Sequence, residues 1–306
     1  MRAARRRGRP AHLRSVKVNR VWGYNESVMT RRDLLAAALA VPLVRAAGAK
    51  IPIGITDWNL RLSANPEAIP LAAQLGFDGI QISCGRRLAE DKMPLDNPQA
   101  IARCLALSKQ HKIPIVATCA DRLHDNGLKS DPLAVRWVRD SIRLTRAVGT
   151  HVLLLPFFGK WALGTGADME YVGDALRDLA PEAEKADVIL GLENTNSAED
   201  NVRIMDRARS KNVLVYYDVG NSTGNGFDVL KEIRWLGKDR ICQIHLKDNP
   251  NYLGEGKIQF VPIMAAIREI GFSGYAVLET DSKSAATLEA DMRRNLGYIR
   301  GVLAAQ

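Results

Sequence analysis

VILGLENTNSAEDNVRIMDRARSKNVLVYYD, residues 188–218, reads as strand, helix, strand. Val188 to Leu192 and Val213 to Tyr217 are short aliphatic or aromatic runs of strand length, and residues 198–209 between them carry helical spacing. The same unit recurs in both directions. Strands are expected at Ile51 to Thr56, Gly79 to Ser83, Ile113 to Ala117, His151 to Leu155, Ile241 to Ile244 and Tyr275 to Leu278. Helical patterns fall near 66–75, 97–111, 132–147, 169–186, 226–237, 260–270 and 285–303. Asn65-Pro66, Asn97-Pro98 and Asp131-Pro132 each set a capping side chain before a proline suited to a first helical turn. Gly76, Gly149, Gly237 and Gly271 follow helix ends where a left-handed cap favours glycine. Strand then helix, eight times over, predicts a single-domain α/β fold, a (β/α)8 TIM barrel spanning 50–306. A doubly wound open sheet is the alternative, and no GxGxxG follows the first strand to support it.

In such a barrel the site lies where strands end. The fifth strand delivers Glu193, the sixth Asp218, the seventh His245 and the eighth Glu279. Singly, each carboxylate could be a helix cap or loop charge, and the histidine a structural one. Together, on four consecutive strand ends, they make a hard, oxygen-rich set suited to a divalent metal ion, Mn²⁺ foremost, with Mg²⁺, Co²⁺ or Zn²⁺ as alternatives.

The motifs GLEN, YYDVGN, IHLKD and VLET, together with Leu75-Gly76-Phe77-Asp78-Gly79-Ile80 and Gly254-Glu255-Gly256, resemble the sugar phosphate isomerase/epimerase family, the xylose isomerase-like TIM barrels. The resemblance covers residues 50–303. It implies that Glu193, Asp218, His245 and Glu279 hold the metal, and that Glu193 and Glu279 are also catalytic, moving a proton next to a sugar carbonyl. The chain departs from the ketose-epimerase pattern at Asn221, where histidine is expected, and at Asn251, where arginine is expected. Gln81 stands where many relatives carry glutamate. Candidate substrate-binding residues are Lys247, two residues beyond the metal histidine, Asn221, Trp58 and Lys160 after the first and fourth strands, and His124 in the third loop. His111 and His151 fall at a helix end and a strand start, away from the catalytic face.

Charge and composition bound the rest. Of 306 residues, 46% are hydrophobic, enough for one large core. The net charge of +9 sits entirely in residues 1–49, which hold 11 Lys and Arg against 2 Asp and Glu; the remainder carries 32 of each sign. A neutral body has no basic face for a phosphate backbone, so no nucleic-acid partner is expected. An endonuclease IV-like nuclease, which shares the barrel, needs a multi-zinc site richer in histidine than the four this body holds. Thr30-Arg31-Arg32-Asp33-Leu34-Leu35, an apolar run to Leu43 and Ala47-Gly48-Ala49 resemble a twin-arginine signal peptide. That implies a leader over 1–49, recognition by the twin-arginine export machinery and a periplasmic destination, with 1–28 preceding an alternative start at Met29. The apolar run is shorter than the about 20 residues of a permanent membrane anchor. Cys84, Cys104, Cys119 and Cys242 show no CxxC pair, and free buried thiols are the plainer reading.

The expected function is therefore a metal-dependent sugar isomerase or epimerase acting on a small, non-phosphorylated carbohydrate. The same enolisation on a keto-sugar or 3-keto-glycoside would make a lyase or dehydratase, and a non-catalytic carbohydrate-binding barrel is a third reading. A homo-oligomer is compatible with all three.

Overall fold

The computed structural model describes residues 51–306; the leader expected over 1–49 lies outside the described residues. Eight parallel strands close into one barrel in sequence order: β1 (Ile53–Thr56), β2 (Gly79–Ser83), β3 (Ile115–Cys119), β4 (Val152–Pro156), β5 (Ile189–Glu193), β6 (Val213–Asp218), β7 (Ile241–Leu246) and β8 (Ala276–Leu278). Closure is by β1 against β8, Ile55 opposite Leu278. Among the described residues the helices are α1 (Ala68–Leu75), α2 (Pro98–His111), α3 (Pro132–Ala147), α4 (Gly166–Lys185), α5 (Ala198–Ala208), α6 (Val219–Gly224), α7 (Val229–Leu236), α8 (Phe260–Glu269) and α9 (Leu288–Ala304). The open-sheet alternative is excluded.

Two of the three anticipated proline caps are present; the exception is Asn65-Pro66, because α1 starts only at Ala68, with Glu67 at its N-cap and no side-chain cap bond. Asn97 accepts from the Gln99 and Ala100 amides, and Asp131 accepts from that of Leu133. Gly76, Gly149, Gly237 and Gly271 all have positive φ, from 64° to 92°. Several element ends shift by one to three residues, and one helix is new. The third strand begins two residues later than expected, because Ile113 and Pro114 still belong to the turn leaving α2: the Ile113 amide bonds back to the Ser108 carbonyl. Helix α6 was not anticipated; six residues of VGNSTG carry no apolar periodicity, and Asp218 starts the turn by accepting from the Asn221 amide.

Strand side chains that point outward pack beneath the helices, with Ile80, Ile82, Leu153, Leu155, Leu190 and Leu192 all at most 2% exposed. The inward side chains form a smaller apolar layer of Ala117, Cys119, Val152, Leu154 and Tyr216. This layer is a floor, and it leaves the polar residues at the strand C-termini directly above it. All four cysteines are free. No described helix is long and apolar enough to cross a membrane.

Candidate metal centre

Strand register sets the site. Asp218 on β6 pairs with His245 on β7, Pro156 on β4 pairs with Glu193 on β5, and the Glu279 amide bonds to the Leu246 carbonyl just past β8. One ligand atom from each of Glu193, Asp218, His245 and Glu279 falls within 4.8 Å of all the others. His245 Nδ1 lies 2.9 Å from Glu193 Oε1, 3.5 Å from Glu279 Oε2 and 3.7 Å from Asp218 Oδ2. Three carboxylates gathered this closely repel one another, and burial removes the water that would screen them; His245 is 0%, Glu193 3% and Asp218 4% exposed. A divalent cation relieves that repulsion, so the donor set fits such an ion.

Asp218 has one oxygen free for each of the two readings, cap and ligand. Oδ1 accepts from the Asn221 amide at 2.7 Å and starts α6, while Oδ2 faces the centre. Burial pushes this carboxyl up to about 7, against the pull of the Lys247 ammonium 2.9 Å away. Glu279 moves the other way: burial raises it, but the His245 and Lys247 charges prevail and hold it at about 2. Its two oxygens are separately gripped, Oε2 by Lys247 Nζ at 2.7 Å and Oε1 by the Trp58 indole N–H at 3.2 Å. Burial disfavours charge on Lys247, yet Glu279, Asp218 and Glu193 together keep its ammonium protonated far above neutrality. Its stem reaches the centre because residue 220 is glycine: a Cβ there would meet Lys247 Cγ at 2.5 Å.

His245 is oriented from behind. Its Nε2 lies 2.9 Å from Gln81 Oε1, which accepts only, so Nε2 carries a proton and Nδ1 is the atom presented to the centre. Tyr216 packs against the imidazole, ring centroids 4.5 Å apart, and its hydroxyl lies 2.8 Å from Gln81 Oε1 and 2.9 Å from Gln243 Oε1. Burial lowers the imidazole pKa, but Glu279 and Glu193 outweigh it and raise the value above the ordinary one.

A cavity of about 380 Å³ opens over this centre, with Trp58, His124, Phe158, Asn221, Lys247 and Glu279 in its wall. His124 stacks on Phe158, centroids 6.2 Å apart, and burial followed by the Arg86 charge lowers its pKa. Trp58 is thus in the wall and also steers Glu279. Lys160 is the departure: it sits on an exposed turn, Gly159–Trp161, with its ammonium 4.7 Å from the Trp161 ring centre, and it does not line the cavity. The cation finds its partner on the outer rim, and the fourth loop contributes Phe158 instead. His111 and His151 are exposed and remote from the cavity. Gln81 and Tyr216 were not assigned a role from sequence. Their inward position at alternate strand residues was the available signal, but in a strand buried on both faces that signal is faint.

The family model of the xylose isomerase-like TIM barrel matches residues 69–302. The chain belongs to this family. Among proteins of known activity, it is 28% identical over 202 residues to the 2-epi-5-epi-valiolone 7-phosphate 2-epimerase of Actinoplanes sp., covering 65% of this chain and 73% of that one. It is 23% identical over 267 residues to the D-psicose 3-epimerase of Enterocloster bolteae, covering 81% and 87%. In fold it is similar to the 3-keto-D-glucoside 4-epimerase of E. coli, at a TM-score of 0.66 and 18% identity, covering 82% of this chain and all of that one. These relatives are sugar epimerases, and this member of the family carries a four-residue site that fits a metal ion.

Proposed function

We propose that this enzyme is a metal-dependent isomerase or epimerase of a non-phosphorylated keto-sugar, with Mn²⁺ as the ion that best suits its three carboxylates and one imidazole. The observation that carries the reading is the convergence of Glu193 and Glu279 on the same centre, each within 3.5 Å of His245 Nδ1. When bound, the cation supplies a Lewis acid beside the sugar carbonyl and acidifies the neighbouring C–H. The protein's own part is proton transfer and positioning. Glu279, kept ionised by its surroundings, accepts the proton; Trp58 and Lys247 fix the direction of its two oxygens. Glu193 provides a second carboxylate from another strand, able to return a proton.

Charge supports the choice of a non-phosphorylated sugar. The cations around this cavity are already engaged: Arg86 is paired with Asp125 at 2.6 Å, and Lys247 with Asp218 and Glu279. A phosphate would have to break one of those pairs. Incubation of the Mn²⁺-loaded protein with a panel of free ketoses and 3-keto-sugars in deuterated water tests the reading. Deuterium at the carbon next to the carbonyl, with the skeleton retained, is expected, and Glu279→Gln should reduce its rate by at least 10³-fold, as for loss of a general base that also ligates the metal. Exchange that survives this substitution refutes the role of Glu279; loss of water or an aglycone in place of exchange identifies the lyase reaction.

The Arg31-Arg32 leader supports export of the folded, metal-loaded protein by the twin-arginine route. Replacing both arginines by lysine should retain the protein in the cytoplasm; a periplasmic fraction equal to wild type would rule the route out.

A further inference from the structure

A second cavity, about 600 Å³, lies beside the first on the β6 and β7 side of the barrel mouth. Asn221 and Lys247 belong to both walls, so the two spaces adjoin at the metal centre. Three polar groups in this region are left without partners among the described residues. The Asn221 side-chain nitrogen, Nδ2, is buried and has no hydrogen-bond partner. The Asn251 side chain and the Lys257 ammonium are exposed in the cavity wall, with no hydrogen bond or ion pair to another described residue. A buried amide donor without an acceptor costs about 1–3 kcal/mol, which a ligand hydroxyl would recover. Lys247 is committed to Asp218 and Glu279, which leaves Lys257 and Asp248 as one charge of each sign in the wall, Asp248 anchored by the Gly256 amide at 2.9 Å. That balance favours a neutral, hydroxyl-rich ligand over an anion. Asn221 and Asn251 are also the two positions at which the chain departs from the ketose-epimerase pattern, each carrying a short neutral amide where a larger cationic or aromatic side chain is expected.

We infer that the substrate has two units: a keto-sugar whose reacting ring occupies the cavity above the metal centre, and a second sugar ring, joined through a glycosidic oxygen, that occupies the neighbouring cavity against Asn221, Asn251 and Lys257. This inference rests on the keto-sugar chemistry proposed for the centre and names the substrate class. Both volumes fall within the about 300–1,000 Å³ of small-molecule sites, so each accommodates one ring.

The test compares 3-ketotrehalose with 3-ketoglucose and D-psicose on the Mn²⁺-loaded full chain, reading deuterium exchange and, by calorimetry, affinity. The disaccharide should bind at least tenfold more tightly than 3-ketoglucose and exchange with a kcat/KM at least tenfold higher. Asn251→Trp, which fills the second cavity, should bring both ratios down to about one, and Lys257→Ala should lower them by several-fold; retained Mn²⁺ binding shows that each variant is folded. Equal constants for disaccharide and monosaccharide in the wild type, or ratios unmoved by either substitution, overturn the inference while leaving the keto-sugar reading in place. No exchange with any of the three sugars despite bound Mn²⁺ overturns that reading and the inference with it.

Discussion

Replacing Gln81 by leucine should separate metal affinity from fold stability. Gln81 Oε1 is the acceptor that holds the proton on His245 Nε2, across 164 residues of sequence and at 2.9 Å. Leucine has a similar volume, so the change removes the acceptor without opening a large hole. The imidazole can then rotate or carry its proton on Nδ1, the atom that must be bare to bind a cation. Loss of such an outer partner typically weakens a metal about 10–100-fold, equivalent to about 1.4–2.7 kcal/mol. Stability of the metal-free protein should move much less. Gln81 Nε2 is itself buried without a partner, so leucine also removes an unsatisfied amide, and the Tyr216 hydroxyl keeps Gln243 Oε1 at 2.9 Å. Mn²⁺ titration by calorimetry, beside urea denaturation of the metal-free protein, measures both quantities. Gln81→Glu supplies a stronger acceptor and should bind Mn²⁺ at least as tightly as wild type. If Gln81→Leu bound Mn²⁺ with unchanged affinity, the polarity assigned to His245 would be wrong.

Metal binding should itself be pH-dependent. In the metal-free site His245 has its pKa raised by Glu279 and Glu193, and a cation must displace the Nδ1 proton; affinity should fall by up to about tenfold per pH unit as pH drops below that pKa, and recover above it, as read by Mn²⁺ titration across pH. A separate dependence lies in the buried carboxyls Asp57 and Asp121, which burial pushes up from 3.8 to about 7 and about 6. Both hold their protons in the folded state over a window in which the unfolded chain has released them, so their contribution to stability declines as pH rises from about 4 to 7. Urea denaturation of the metal-free protein should show Asp57→Asn, which keeps an acceptor for the Ser83 and Ala64 amides, with a shallower decline over that window than wild type; an identical slope would place Asp57 outside the linkage.

The barrel and the four side chains that gather at its mouth were legible in the sequence because both follow from local rules. A strand covered on both faces must be apolar along its length, so a Glu, Asp or His at its end stands out against Val, Leu, Ile and Tyr. Four such interruptions on four consecutive strands mark one face of the barrel, and glycines after helices mark where each repeat turns. What surrounds the centre depended on which strands meet across the barrel. Gln81 on β2 and His245 on β7 touch only because the sheet closes with a particular stagger, and nothing in either strand alone announces the partner. Lys247 stands out in the sequence only by its place two residues beyond His245; its pairing with Asp218 and Glu279 appears in the fold, where Gly220 in α6 admits its stem. Lys160 reads as a site residue until its turn is seen to face outward onto Trp161. Local sequence determined the elements and the chemistry at their ends, because these depend on covalent neighbours and burial. Tertiary closure alone decided which side chains share a cavity, because that depends on register and direction between residues far apart in the chain.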